Sequence, residues 1–301
     1  MVLVSAVITT HKREPEIVER ALKSVIDQTH TQMEIIVVDD SPSNYDLRGK
    51  VREMVEKYSD RNVKYIQHEE CKGACAARNT GLFEANGDFV AFLDDDDEWK
   101  PEKIEKQLQK FTSDCVALVY SGSEVINDST QVTSYSPLKC ESGNVYDKLI
   151  VENFIGSTSF PLLRKSALLD IDGFDVLMQS AQDYDVWLRI SQKYNVECVN
   201  ESLVIYHVHN GERISSNYTK KINGLERLNE KNKGYLSLHK EARRIRTMKL
   251  CPMYAKNGQL FKAVRIWIKA ALIQPWMVKE NLTYLYDALA SYVNTKHKGG
   301  K

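Results

Sequence analysis

The sequence predicts an α/β protein: a mostly parallel sheet flanked by helices, followed by a C-terminal helical extension. Three observations carry this. Short β-rich apolar runs alternate with amphipathic stretches through the first hundred residues. Polar residues gather where those runs end, at Thr9–Arg13, Asp39–Ser43 and Asp94–Glu98. From about residue 218 onward the pattern is almost entirely helical.

Residues 3–9 (LVSAVIT) read as a strand, and Pro15 opens an amphipathic helix reaching about Gln28. EIIVVDD (34–40) is apolar on both faces, as a central parallel strand is. A helix at 46–58, a strand at 63–67, a helix at 74–85 and a strand at 88–94 follow. That rhythm implies right-handed βαβ crossovers, whose sheets bind ligands beyond the carboxyl ends of the strands. The middle third suggests strands at 116–120, 158–164 and 203–208 and a helix over 183–193, with acceptor-type loops around 128–157. The last third suggests helices near 219–237, 239–256, 259–273 and 276–293. The expected division is therefore 1–217 and 218–301.

The chain has 301 residues, 43% hydrophobic and 27% charged, an ordinary globular composition. No apolar run approaches the roughly 20 residues of a membrane-spanning helix, and the N-terminal apolar stretch reads as a buried strand, not a signal. Six scattered cysteines without a CxxC pair suggest free thiols in a reducing, cytoplasmic setting. Cys71 and Cys75 alone lack partners at metal-ligand spacing. The zero net charge conceals a split: residues 218–301 hold 18 basic against 5 acidic residues, and residues 1–217 carry the opposite excess.

The sharpest local feature is FLDDDDEW (92–99). Four aspartates at the end of an apolar strand repel one another unless a counter-ion sits among them. Hard divalent cations take carboxylate oxygens and commonly share them with substrate phosphates. The cluster thus points to a metal bridging a diphosphate, against the plainer reading of a solvated acidic loop. Asp39–Asp40 closes the preceding parallel strand and suits either a base or ribose contact or a turn into Ser41-Pro42.

Together with VITTHKRE (7–14), IIVVDDSPS (35–43), GACAARNTGL (73–82), DGFD (172–175), QDYDVWLR (182–189) and YHVHNGERIS (206–215), this run resembles glycosyltransferase family 2, inverting nucleotide-sugar transferases of the GT-A fold. The ordered set covers roughly residues 3–215. The resemblance implies that Thr9, His11 and Arg13 line the nucleotide pocket, that Asp39 accepts from the uracil N–H, and that Arg78 and Asn79 shape the donor site beside Asp95. It implies Asp96 as main metal ligand for Mn²⁺ or Mg²⁺, with Asp94 facing ribose and metal, Asp97 one layer behind, and His209 near the metal or diphosphate. Asp183 matches the general base, although Gln182 stands where the family carries Glu, and His11-Lys12 where it carries Tyr-Asn. Asp185 reads as structural, as do Trp99 and Trp187.

The implied reaction moves a sugar from a nucleotide-sugar donor, UDP first and GDP or dTDP as alternatives, to a glycan or lipid-linked glycan. The competing reading is a catalytically degenerate nucleotide-sugar-binding module scaffolding a polysaccharide assembly complex. A dinucleotide oxidoreductase is disfavoured because no GxG occurs. The basic helical end suits an anionic membrane surface, a partner, or the acidic domain. A stripe of Leu260, Phe261, Val264, Ile268 and Leu272, with Trp267 and Trp276 nearby, lies at helical spacing. Membrane association at the inner face of the cell membrane is favoured. Nucleic acid is not, since no recognition motif accompanies the charge; oligomeric state is open.

Overall fold

A computed structural model describes residues 2–130, 132–135, 138–208 and 217–298, with side chains described to residue 293. The chain divides into two compact units. The first comprises Met1–Leu149, Asn153–Val176 and Asp183–Asn210, and the second Ile150–Glu152, Leu177–Gln182 and Gly211–Lys301.

The first unit is a mixed, mostly parallel sheet flanked by helices. Its strands are β1 (Val4–Thr10), β2 (Met33–Asp39), β3 (Val63–Gln67), β4 (Phe89–Asp94), β5 (Glu98–Trp99), β6 (Val116–Asn127), β7 (Val132–Tyr135), β8 (Leu162–Arg164) and β9 (Asn195–Val208). They run in the order β3-β2-β1-β4-β8-β6-β9-β5, with β7 paired to β6. The first four are mutually parallel. β8 is antiparallel to both neighbours, while β6 and β9 pair in parallel. β1 lies between β2 and β4, so the strand order reverses there, and the crevice beyond such a reversal is where open α/β sheets bind ligands. The register places Thr9 opposite Val38 and Asp94, and Thr10 opposite Asp39. The polar strand ends thus stand level.

The helices of this unit are α1 (Pro15–Ile26), α2 (Arg48–Glu56), α3 (Ala74–Glu84), α4 (Lys103–Leu108), α5 (Tyr146–Leu149), α6 (Lys165–Asp170) and α7 (Gln182–Ser191). Val18, Ala21, Leu22 and Val25 of α1 pack with Val4, Ala6 and Ile8 of β1 and Ile35 and Val37 of β2 in one buried core. Pro15 at the first helical position needs no amide hydrogen, which is why α1 begins there. α3 rests on β1 so closely that a Cβ on Gly81 would collide with the Val7 side chain. Trp99 and Trp187 are buried and donate their indole N–H to Ser159 O (2.9 Å) and Gly156 O (3.1 Å), as core aromatics do.

β5, β7, α4, α5 and α6 went unread in the sequence because each is short and lacks a full period of hydrophobic pattern. The free-thiol expectation also needs correction. Cys140 and Cys198 are disulfide-bonded, with Cα atoms 5.5 Å apart, while Cys71, Cys75, Cys115 and Cys251 are free. The pairing arises because Gly143 and Val196 exchange backbone hydrogen bonds (2.8 and 3.0 Å), laying the segment after Cys140 beside β9. Spacing alone carries no trace of that, and cysteine usage no longer argues for a reducing compartment.

The second unit is helical: α8 (Tyr218–Lys231), α9 (Lys233–Leu238), α10 (Lys240–Met248), α11 (Leu250–Lys256), α12 (Leu260–Ala271) and α13 (Val278–Lys298). Its core gathers Ile222, Met248, Cys251, Tyr254, Ala263, Ala270 and Ala288. Arg244 is fully buried, yet its guanidinium meets Gln274 (2.9 Å), Asn281 (3.0 Å) and Glu280 (2.6 Å), which offsets the cost of burying a charge. On α12 the small residues Ala263 and Ala270 turn inward, while Phe261 (95% exposed) and Ile268 turn outward, as does Leu272 just past its end. No helix among the described residues is long and apolar enough to cross a membrane.

Candidate active site

The acidic run at the end of β4 divides by burial. Asp94 and Asp96 keep 29% and 22% of their side chains exposed, whereas Asp95 and Asp97 are buried. Asp94 accepts from Arg78 Nη2 (2.7 Å), Ser157 Oγ (3.2 Å) and Thr158 Oγ1 (3.1 Å). Asp97 accepts from Ser159 Oγ (2.6 Å) and, more weakly, from the His207 amide (3.3 Å). Burial and the charges of Asp94 and Asp96 push its carboxyl well above the usual range. Burial also raises Asp95, although Arg13 opposes the shift.

Arg13 straddles the run, donating to Asp95 Oδ1 (Nε, 2.9 Å) and Asp96 Oδ2 (Nη2, 3.0 Å). The four carboxyl groups thus meet the guanidinium groups of Arg13 and Arg78, while Arg20 donates to the Asp96 carbonyl (2.8 Å). The excess negative charge is part of what lifts Asp95 and Asp97. An oxygen-only donor set with surplus negative charge and two solvent-facing carboxylates fits a hard divalent cation, with Asp94 and Asp96 as the groups that could hold it.

Asp183 enters from the other direction, in the first turn of α7. Burial is the main cause that lifts its carboxyl to about 6; Arg78 opposes the lift and the Asp94 charge adds to it. Its field reaches Arg78 in turn. α7, α3 and β4 thus bring Asp183, Arg78 and Asp94 into one electrostatic neighbourhood. A carboxyl group that ionises near neutrality is suited to accept a proton. Asp185, two residues on and so on the far side of α7, is buried and paired with Arg189 (2.7 Å), a structural role.

The remaining predicted residues separate. Thr9, one residue before the end of β1, lies level with Asp94. His11 stands beside the end of β2, its Nδ1 2.9 Å from Asp40 O. Asp39 is fully buried at the end of β2, its Oδ1 accepting from Ser41 N (2.8 Å) and its Oδ2 from Tyr65 Oη (2.6 Å). Asn79 is also held by hydrogen bonds. Its amide clips Phe174 at both ends, donating to Phe174 O (2.8 Å) and accepting from Phe174 N (2.8 Å), which anchors DGFD to α3. His209 lies outside the described residues.

Four contributors escaped sequence reasoning. Ser157, Thr158 and Ser159 supply hydroxyls to Asp94 and Asp97, and no pattern of period or charge marks them. His207 bridges Glu98 (2.8 Å) and Asp128 (2.7 Å), and those two bonds raise its imidazole above the ordinary value, Glu98 foremost and against burial. Its place in the YHVHNGERIS run was the available signal.

Comparison with known proteins accords with this geometry. The sequence pattern described as glycosyl transferase family 2 matches residues 5–171, a span ending before Asp183. A UDP-Glc:α-D-GlcNAc-diphosphoundecaprenol β-1,3-glucosyltransferase, WfgD of Escherichia coli, is 34% identical over 199 residues, 66% of this chain and 73% of its own. The teichuronic acid biosynthesis glycosyltransferase TuaG assigned to Bacillus subtilis is 30% identical over 217 residues, 70% of this chain and 81% of its own; its assignment is itself provisional. Among solved structures, TarS residues 1–349 of S. aureus in complex with UDP-GlcNAc superposes with a TM-score of 0.61 at 20% identity, covering 99% of this chain and 92% of that one. That likeness shows the GT-A fold. With the family's pattern over more than half of its length and a relative above 30% identity, the chain belongs to glycosyl transferase family 2 and is a glycosyltransferase.

Proposed function

We propose that the chain is an inverting transferase that moves a sugar from a UDP-sugar to a glycan or lipid-linked glycan in cell-envelope polysaccharide synthesis, with Asp183 as general base. The observation that carries this reading is the convergence of Asp183, Arg78 and Asp94, with Asp183 poised near pH 6. WfgD's named acceptor is a lipid-linked GlcNAc, and solved TarS complexes contain UDP or UDP-GlcNAc, which favours the same ligand classes here.

In the proposed step Asp183 takes the proton of the acceptor hydroxyl as its oxygen bonds the anomeric carbon. The bond to the nucleoside diphosphate breaks on the opposite face, inverting the anomeric configuration. A positioned base of this kind contributes about 10²–10⁴-fold. Asp94 and Asp96 would hold Mn²⁺ or Mg²⁺, which supplies charge neutralisation for the departing diphosphate when bound. Arg78 holds Asp94 in place, and Asp97, kept by Ser159 and the His207 amide, supports the loop from behind. Thr9, His11 and Arg13 would border the nucleotide.

The second unit adds an interfacial role. Phe261, Ile268, Leu272 and Trp276 are exposed, as are Leu282, Tyr286, Leu289 and Val293 at i, i+4, i+7 and i+11 of α13. Apolar stripes on a strongly basic segment suit an anionic bilayer at the inner face of the cell membrane, where each basic residue contributes about 1 kcal/mol. Co-sedimentation with anionic vesicles reads this arm separately from catalysis.

The test of the reaction is release of UDP from a panel of UDP-sugars with Mn²⁺. The wild-type chain should leak slow hydrolysis that Asp183→Asn abolishes while UDP binding persists. Near-normal turnover by Asp183→Asn would refute the assignment, and binding without any turnover by the wild type would favour the scaffold reading.

A further inference from the structure

A second cluster stands apart from the acidic run. His11 after β1, Asp40 after β2 and Cys71 before α3 place one donor atom each within 4.8 Å of one another. Cys71 Sγ lies 3.8 Å from His11 Nδ1 and 3.4 Å from Asp40 Oδ2. Zinc bonds of about 2.3 Å to sulfur and about 2.0–2.2 Å to nitrogen or oxygen set neighbouring ligand atoms of a tetrahedral site about 3.3–3.6 Å apart. The two distances from sulfur are already close to that spacing, and the third pair lies within 4.8 Å.

Its parts are held in place. The Asp40 carboxylate accepts from Lys72 N (2.7 Å) and Gly73 N (2.7 Å), which ties the Cys71 loop to it, and from His68 Nδ1 (2.8 Å), whose Nε2 in turn meets Thr80 (2.9 Å). Such outer bonds orient ligating groups in metal sites. Asp40 is buried while His11 and Cys71 are exposed, so an ion has a path in. Burial and the Asp40 carboxylate hold the Cys71 thiol above its ordinary value, with Lys12 opposing them weakly. The donor set of thiol, imidazole and one carboxylate differs from the all-carboxylate run at 94–97 and suits a borderline-soft ion.

We propose that His11, Asp40 and Cys71 form a binding site for Zn²⁺, separate from the hard-cation site and open at its fourth position. Binding exchanges the His11 contact with Asp40 O for a metal bond and releases the Cys71 thiol proton to solvent. Because the cluster sits at the strand ends where the nucleotide is proposed to lie, bound zinc competes with UDP. This second clause rests on the proposed function.

The experiment uses the full chain, untagged, with Co²⁺ as the optical stand-in. One equivalent should give a thiolate-to-cobalt charge-transfer band that Zn²⁺ displaces. The band should vanish in Cys71→Ser and persist in Cys75→Ser, Cys115→Ser and Asp96→Asn. Zinc affinity should fall at least about tenfold in His11→Gln, given what even outer-layer losses cost. Cys71 is exposed, so its serine variant folds, as circular dichroism would check. No band, or a band surviving Cys71→Ser, overturns the site. UDP affinity unchanged by zinc overturns the competition alone. Failure to bind UDP at all counts against the proposed function and leaves the cobalt result standing.

Discussion

Arg78 Nη2 lies 2.7 Å from Asp94 Oδ1, joining the third helix to the end of the fourth strand beneath the acidic run. The guanidinium is buried and also stands over the Phe174 ring, 5.5 Å from its centroid. One side chain thereby neutralises a proposed metal ligand and biases the proposed base.

Arg78→Met should move the acid limb of the pH–rate profile to higher pH. Arg78 opposes ionisation loss at Asp183, so its removal lets burial lift that carboxyl further above about 6. The same variant should lose stability by less than the about 3–5 kcal/mol typical of a broken buried pair, since Asp94 keeps access to water. An unshifted acid limb would show that Arg78 does not act on the base.

Asp183 itself predicts a trade between stability and activity. Its folded carboxyl is raised from 3.8 to about 6, so the folded state loses stability as pH rises through that window. At pH 7 Asp183→Asn should therefore be more stable than the wild type, by on the order of 1–3 kcal/mol, while transfer is abolished. Urea denaturation at pH 5 and 7 measures it: the gain should shrink at the lower pH.

His207 gives a slope of the same sign in a higher pH window. Its imidazole is raised by Glu98 and Asp128, so its contribution is fully present below the unfolded value near 6.5 and is lost as pH climbs through the raised folded value. The urea midpoint of the wild type should fall across that upper window, and His207→Gln should flatten the fall. Equal slopes would remove the imidazole from the account.

Asn79 is expected to be a clip rather than a ligand. Asn79→Ala leaves the Phe174 N–H and C=O without partners, costing about 1–3 kcal/mol. UDP affinity should hold, measured by titration calorimetry on the folded variant. A selective loss of UDP binding would restore the donor-site role.

Much of the sheet was legible because buried parallel strands have no choice of composition. EIIVVDD is apolar on both faces since helices cover both faces of β2. The acidic run was legible for the converse reason, four like charges ending an apolar strand. That Ser41 and Tyr65 hold Asp39, and Phe174 holds Asn79, was not legible, because residue type and motif position report neither where a side chain points nor what already holds it. The hydroxyls of 157–159 were invisible, since a serine in a loop looks the same whether or not an aspartate waits beside it.

The amino-acid order alone determined the alternating strands and helices, the crevice side of the sheet, the carboxylate run at 94–97 and the charge division near residue 218. These depend on local composition and period, which a linear chain displays. Only the tertiary structure decided which carboxylates face water, which two cysteines pair, and that Asp183, Arg78 and Asp94 share one electric field. Those outcomes depend on distance and burial between segments far apart in the chain, and neither quantity exists until the chain has closed on itself.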